Sequence, residues 1–231
     1  MKYLATIVLV VIGTFSAFSQ TYEVGAMLGG SNFIGDVGRT NYIAPNDLAF
    51  GGIFKWNRSA RHSFRGSVLI ANISGDDSES NDERRQQRGY TFENTVTEIS
   101  LGLEYTFWEF NMYNGKPAST PYLYTGLTYS WFDALYYPGE GTEIQSYDGD
   151  SAVAIPMVVG YKATLGRRFV VGFEIGARYT FSDALDGSYP SKGQPSTEAF
   201  RFGNTNSDDW YVFTGITFTV TFGRKPCYCN F

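Results

Sequence analysis

From residue 21 onward, apolar and polar positions alternate with period two in eight stretches, the spacing of strands with two unlike faces. The last is the clearest. Trp210, Val212, Ile216, Phe218, Val220 and Phe222 fall on one face, and Gly215, Thr217, Thr219 and Thr221 on the other. The seventh repeats it, with Phe169, Val171, Phe173, Ile175, Ala177, Tyr179 and Phe181 opposite Gly172, Glu174, Gly176, Arg178 and Thr180. The sixth sets Met157, Val159, Tyr161, Ala163 and Leu165 against Gly160, Lys162 and Thr164. The fourth sets Ile99, Leu101, Leu103, Tyr105 and Phe107 against Ser100, Gly102, Glu104 and Thr106. Leu123, Leu127, Tyr129 and Trp131 mark the fifth, and weaker patterns cover residues 21–29, 48–56 and 63–73. No helical periodicity occurs after residue 19.

The composition of the two faces selects the architecture. A soluble sandwich would bury the apolar face and expose large polar residues. Here the polar face is mostly Gly and Thr with few Lys, as suits the crowded interior of a small barrel, while aromatics gather near the ends of the apolar face. That is the inside-out pattern of a chain whose apolar face meets lipid. Lipid also demands that the sheet close on itself, because an open edge would leave backbone groups unpaired. The expected fold is all-β: an eight-stranded antiparallel transmembrane β-barrel of the outer-membrane type.

The connections divide into two sets. Short basic turns follow strands two, four and six ("NRSARH", "NMYNGKPAST", "GRR"), whereas long acidic loops follow strands one, three, five and seven. Arg58, Arg61, Lys116, Arg167, Arg168, Arg224 and Lys225 mark the short side. This asymmetry predicts periplasmic turns and termini with extracellular loops. Residues 1–19 read as a signal peptide: Lys2, an apolar run over residues 3–13, and Ala17-Phe18-Ser19 before the expected cleavage. The expected organisation is therefore a signal over 1–19, a barrel over 20–223 and a periplasmic tail over 224–231. The chain has 18 Lys and Arg against 23 Asp and Glu, and no basic stripe, which argues against nucleic-acid binding.

Three sets of residues are candidates for chemistry. Glu104, Lys162, Glu174 and Arg178 share the inward face and are expected to form an ion network filling a lumen too narrow for flow. His62, the only histidine, lies at the first short turn between Arg61 and Arg65, with no hydrolase or zinc motif around it. The acid-to-base loop "SGDDSESNDERRQQR" and "YDGD" lack calcium-loop spacing and read as solvated outer loops. No cofactor, metal or small-molecule substrate is expected, nor enzymatic activity. The third set is the tail, Arg224-Lys225-Pro226-Cys227-Tyr228-Cys229-Asn230-Phe231. A bond between cysteines two residues apart would be strained, and strained disulfides exchange readily. Free thiols, a strained internal bond, or a covalent or docking contact with a periplasmic partner all remain open. Arg58 and Arg61 would widen such a contact.

"EVGAMLGGSNFIGDVG" (23–38), "TFENTVTEISLGLEYTFWEF" (91–110), "TPYLYTGL" (120–127) and "GFEIGARYTFSDALDGSYP" (172–190), with the short cysteine-bearing tail, resemble the PorG-like family of Bacteroidetes outer-membrane barrels. Those proteins belong to the type IX secretion system and its linked gliding machinery. The resemblance implies an outer-membrane partner for a periplasmic ring built from a lipoprotein and a second subunit. It would set Cys227, Cys229, Arg224, Lys225, Pro226 and Phe231 toward that ring. It brings no catalytic residues. The alternative from the same sequence is an OmpA- or OmpX-like surface barrel acting in adhesion or envelope stability through its acidic loops.

Overall fold

The computed structural model describes residues 21–112, 116–190, 198–204 and 207–223. Eight antiparallel strands follow one another around a closed barrel, and the last pairs with the first. They are β1 (Thr21–Ile34), β2 (Asp47–Asn57), β3 (His62–Asp76), β4 (Thr91–Thr106), β5 (Ser119–Tyr136), β6 (Gln145–Leu165), β7 (Phe169–Thr180) and β8 (Trp210–Gly223). Closure runs from Thr21↔Gly223 to Ile34↔Trp210, so no strand edge is left free along that seam.

The period-two pattern sorts as expected. Leu28, Leu101, Leu127, Phe173 and Ile216 stand half or more exposed around the outside. The alternate positions, among them Glu23, Lys55, Arg65, Glu104, Lys162 and Glu174, are buried inside. An apolar exterior around a charged interior is stable only against hydrocarbon, so the exterior belt is a membrane-facing surface. Aromatic contacts mark both rims. Tyr22 stacks on Phe54 and Phe222, and Trp108 meets Tyr161 edge-on at the short-turn end. Tyr129 with Trp131, and Tyr179 with Phe181 and Trp210, do the same at the long-loop end.

Two seams on opposite sides of the barrel need glycine. A Cβ on Gly102 would lie 2.1 Å from the Thr125 carbonyl oxygen, and one on Gly29 would lie 2.2 Å from that of Thr214. Their register partners are Gly126 and Gly215. These inward positions let neighbouring strands bend sharply where the sheet turns its corners.

Most strands run further toward the long-loop end than the alternation predicts. The β5–β6 hairpin pairs up to Tyr136↔Gln145, whereas β6 pairs with β7 only from Ala154. "YDGD" accordingly belongs to β6 and is not a free loop. Above Thr97, β4 and β5 separate, and Asn94 fills the gap. Its amide donates to the Asp133 carbonyl at 2.9 Å and accepts from the Asp133 N–H at 3.1 Å, standing in for a ladder pair.

The acid-to-base loop is a second correction. It carries a 3-10 turn (Asp77–Glu79) and a six-residue helix, α1 (Glu83–Arg88). Asp82 caps α1 by accepting from the Arg84 N–H at 2.9 Å, and Gly89 ends it with φ +68°. Six residues are too few to show helical periodicity, and tertiary anchors hold them. Arg88 pairs with buried Asp77 at 2.7 Å, and Arg85 donates to the carbonyls of Gly35 and Gly38.

Candidate functional site

The barrel interior is built in layers. Beside the short turns, Lys162 donates to Glu104 at 2.6 Å, and Lys55 lies 2.7 Å from the other oxygen of that carboxylate. Next, the Arg65 guanidinium forms a two-pronged pair with Glu174, both bonds 2.8 Å, and Tyr122 donates to the same carboxylate at 2.6 Å. Further toward the loops, Arg178 pairs with Glu98 at 3.0 Å, and Tyr211 donates to Glu98. Glu23 is met by neutral donors, Asn57 at 2.8 Å and Thr219 at 2.7 Å.

Glu104, Lys162, Glu174 and Arg178 all lie buried in the interior, but their pairing differs from sequence proximity. Glu174 and Arg178 share the inner face of β7 without being each other's ion-pair partners. Glu174 reaches across the lumen to Arg65 on β3, and Arg178 to Glu98 on β4. Lys55, Arg65, Glu98 and Glu23 complete the set beyond the four residues predicted. All occupy inward positions of the alternation, which was the available signal. Among the described strand residues, four buried cations (Lys55, Arg65, Lys162, Arg178) balance four buried carboxylates (Glu23, Glu98, Glu104, Glu174). Apolar side chains fill what remains: Met27, Ile53, Leu69 and Phe213 form one inner cluster. Each ion is desolvated, so the network holds only because the partners are paired and hydrogen-bonded.

At the short-turn end the β4–β5 connection folds over the barrel mouth. Phe110 is buried against Met112 and Val170, and its ring lies 4.7 Å below the Lys162 ammonium. The Phe110 N–H donates to the Ala60 carbonyl at 2.9 Å, tying this turn to the β2–β3 turn. Arg61 reinforces that tie, donating to the Phe107 carbonyl at 2.9 Å, with Glu109 at 3.8 Å. Arg58, Lys116, Arg167 and Arg168 are exposed on the same end. The His62 ring meets that of Tyr105 at a tilt of 57°, and its Nδ1 is 3.3 Å from Ser59 Oγ. That hydroxyl accepts the N–H groups of Arg61 and His62, so it shapes the turn. Cys227, Cys229, Arg224, Lys225, Pro226 and Phe231 lie outside the described residues, as does the expected signal segment. β8 ends at the short-turn face, beside the start of β1.

The long-loop end is covered by an ordered cap. Phe33, Val37, Phe92, Phe132, Leu135 and Leu185 pack together beneath the loops. Beside this core a polar cleft of about 580 Å³ opens between the β1–β2, β3–β4 and β5–β6 connections, lined in part by Asn41, Asn46, Asp76, Glu93 and Glu143.

Several solved outer-membrane proteins show overall likeness at low identity. The attachment invasion locus protein of Yersinia pestis is 11% identical, with 88% of this chain and 97% of that chain covered and a TM-score of 0.45. Neisserial surface protein A is 7% identical, with 88% and 97% covered and a TM-score of 0.48. A major outer membrane protein from Thermus thermophilus is 14% identical, with 88% and 99% covered and a TM-score of 0.49. Likeness at this level carries no functional inference. No curated protein gives a significant match. One family does match, over residues 2–231, and the chain belongs to it: the family described as Domain of unknown function (DUF6089).

Proposed function

We propose that this barrel is a non-enzymatic anchor of the outer membrane, holding a periplasmic complex through its short-turn face and its tail. The observation that carries the reading is the filled interior. Among the described residues, four buried cations, four buried carboxylates, the inner apolar cluster and Phe110 occupy the interior, which favours work at the ends over conduction or solute binding. Arg58, Arg61, Lys116, Arg167 and Arg168 make one end basic, and β8 ends there at Gly223, shortly before Cys227 and Cys229 in sequence. The resemblance to PorG-like barrels supplies the partner class: a ring of a lipoprotein and a second subunit in the type IX secretion and gliding machinery. In this reading both termini are periplasmic, the long loops extracellular, and Cys227 or Cys229 makes the decisive contact, covalent or docked. Replacing both cysteines with Ser, and separately Arg58 and Arg61 with Glu, should impair secretion while the barrel still assembles in the outer membrane. Normal secretion in both variants would count decisively against the anchor.

One observation favours a second reading. The outer loops are not loose: they share a core and border a cleft of about 580 Å³. Order of that kind suits a surface role in adhesion or envelope stability. Shortening the β1–β2 and β5–β6 loops separates the two, since only a surface function would be lost.

A further inference from the structure

Four carboxylates meet beneath the outer cap. Asp36 follows β1, Asp183 and Asp186 lie in the β7–β8 connection, and Asp209 precedes β8. Their oxygens bind backbone. Asp186 accepts from the N–H groups of Asp36 at 2.9 Å, Val37 at 3.1 Å and Ser188 at 2.9 Å. Asp36 accepts from the Asn204 N–H at 2.8 Å, and Asp209 from the Leu185 N–H at 3.0 Å. Within the apolar packing of the cap, these carboxylates tie the first loop to the last.

Two oxygens of the group, Asp183 Oδ2 and Asp209 Oδ1, are buried with no hydrogen-bond partner among the described residues. The cations nearby among the described residues are engaged elsewhere. Arg88 pairs with Asp77 and donates to the Asp36 carbonyl, Arg85 donates to the carbonyls of Gly35 and Gly38, and Arg201 lies 3.9 Å over the Tyr189 ring. Asp208, the remaining acid at this site, accepts from Tyr179. No group of three or more acidic, His or Cys side chains among the described residues is arranged to hold a metal ion. Like charges brought together beneath the cap need neutralising, and a proton on these carboxylates supplies it with no further group. We propose that the cap is a proton-held latch, closed while Asp183 and Asp209 carry protons and loosened when they ionise.

Titration follows the same geometry. Burial, then the neighbouring Asp186 and Asp36, push the Asp183 carboxyl up to about 8. Burial, then Asp186 and Asp183, push Asp209 well above the usual carboxylate range. Burial raises Asp186 as well. The closed cap therefore holds more protons than the open one. Its stability is full below the ordinary aspartate value of 3.8 and is lost as pH rises through the closed-state values. Across that window the opening equilibrium gains about tenfold per pH unit for each carboxylate that ionises on opening.

Hydrogen exchange of the full-length barrel in lipid tests this without any variant. The amides to follow are those of Asp36, Val37, Leu185 and Ser188, corrected for intrinsic exchange and compared with strand amides. Between about pH 6 and about pH 8 their protection should fall at least about tenfold. Asp183→Asn, which mimics the neutral acid, should lessen that dependence, and adding Asp209→Asn should flatten it. Protection that stays level in the wild type would overturn the latch. So would its recovery at the higher pH on adding calcium, which would assign the cluster to a cation instead.

Discussion

Glu104 is the residue on which the most buried charge depends. Lys162 and Lys55 both lie within 2.7 Å of it, and Arg65 is 3.8 Å away. Glu104→Gln keeps the shape and removes the charge, leaving two ammonium groups without their carboxylate in a dry lumen. Removing one partner of a buried ion pair costs about 3–5 kcal/mol. Urea unfolding from lipid vesicles should show a loss of that order, whereas Arg61→Gln, at the exposed rim, should change stability by less than about 1 kcal/mol. The inward location of Glu104, Lys162, Glu174 and Arg178 was legible from alternation, because period two assigns a face without further knowledge. Their pairing was not. It depends on which strands face one another across the lumen, and Arg65 reaches Glu174 across 109 positions of sequence.

At the scale of elements, the strands were legible where lipid reads them and illegible beyond. In the bilayer zone each outward position must be apolar, so the pattern is enforced. In β6 the stretch from Gln145 to Asp150 stands clear of it, pairs only with β5 and carries Asp148 and Asp150, so it resembles a loop. The cap was hidden for a related reason: Asp36, Asp186 and Asp209 are polar in sequence yet buried, each accepting from backbone N–H groups that no side-chain pattern reveals. The β4–β5 turn was likewise legible as a turn and not as a plug. Phe110→Ala should cost about 3 kcal/mol and admit water to the Lys162 end of the barrel, seen as faster exchange of the β6 amides there. Gly102→Val should fail to fold or fold far more slowly, since its Cβ would meet the Thr125 carbonyl oxygen at 2.1 Å. Gly149→Val, where a Cβ meets nothing within 4 Å, is the matched control.

The whole molecule is a membrane barrel with a charged interior, basic residues around its short-turn end and an aspartate cluster beneath its long loops. Purified protein in planar bilayers should give no resolved conductance steps, and steady openings of the wild type would refute a filled lumen. Both ends can be occupied independently, because the ion network and the inner apolar cluster separate the Phe110 plug from the aspartate latch. The pH dependence of the outer cap should accordingly persist in a barrel whose short-turn face has been altered. The anchor itself is tested most directly by affinity purification of the tagged barrel from native outer membranes, resolved on gels with and without reductant and compared with the Cys227→Ser, Cys229→Ser variant. Co-purification of a periplasmic lipoprotein with the wild type, diminished in the variant, is the result predicted. Equal recovery of that lipoprotein with both, or its absence from the wild type while loop-shortened barrels lose function, would contradict the account.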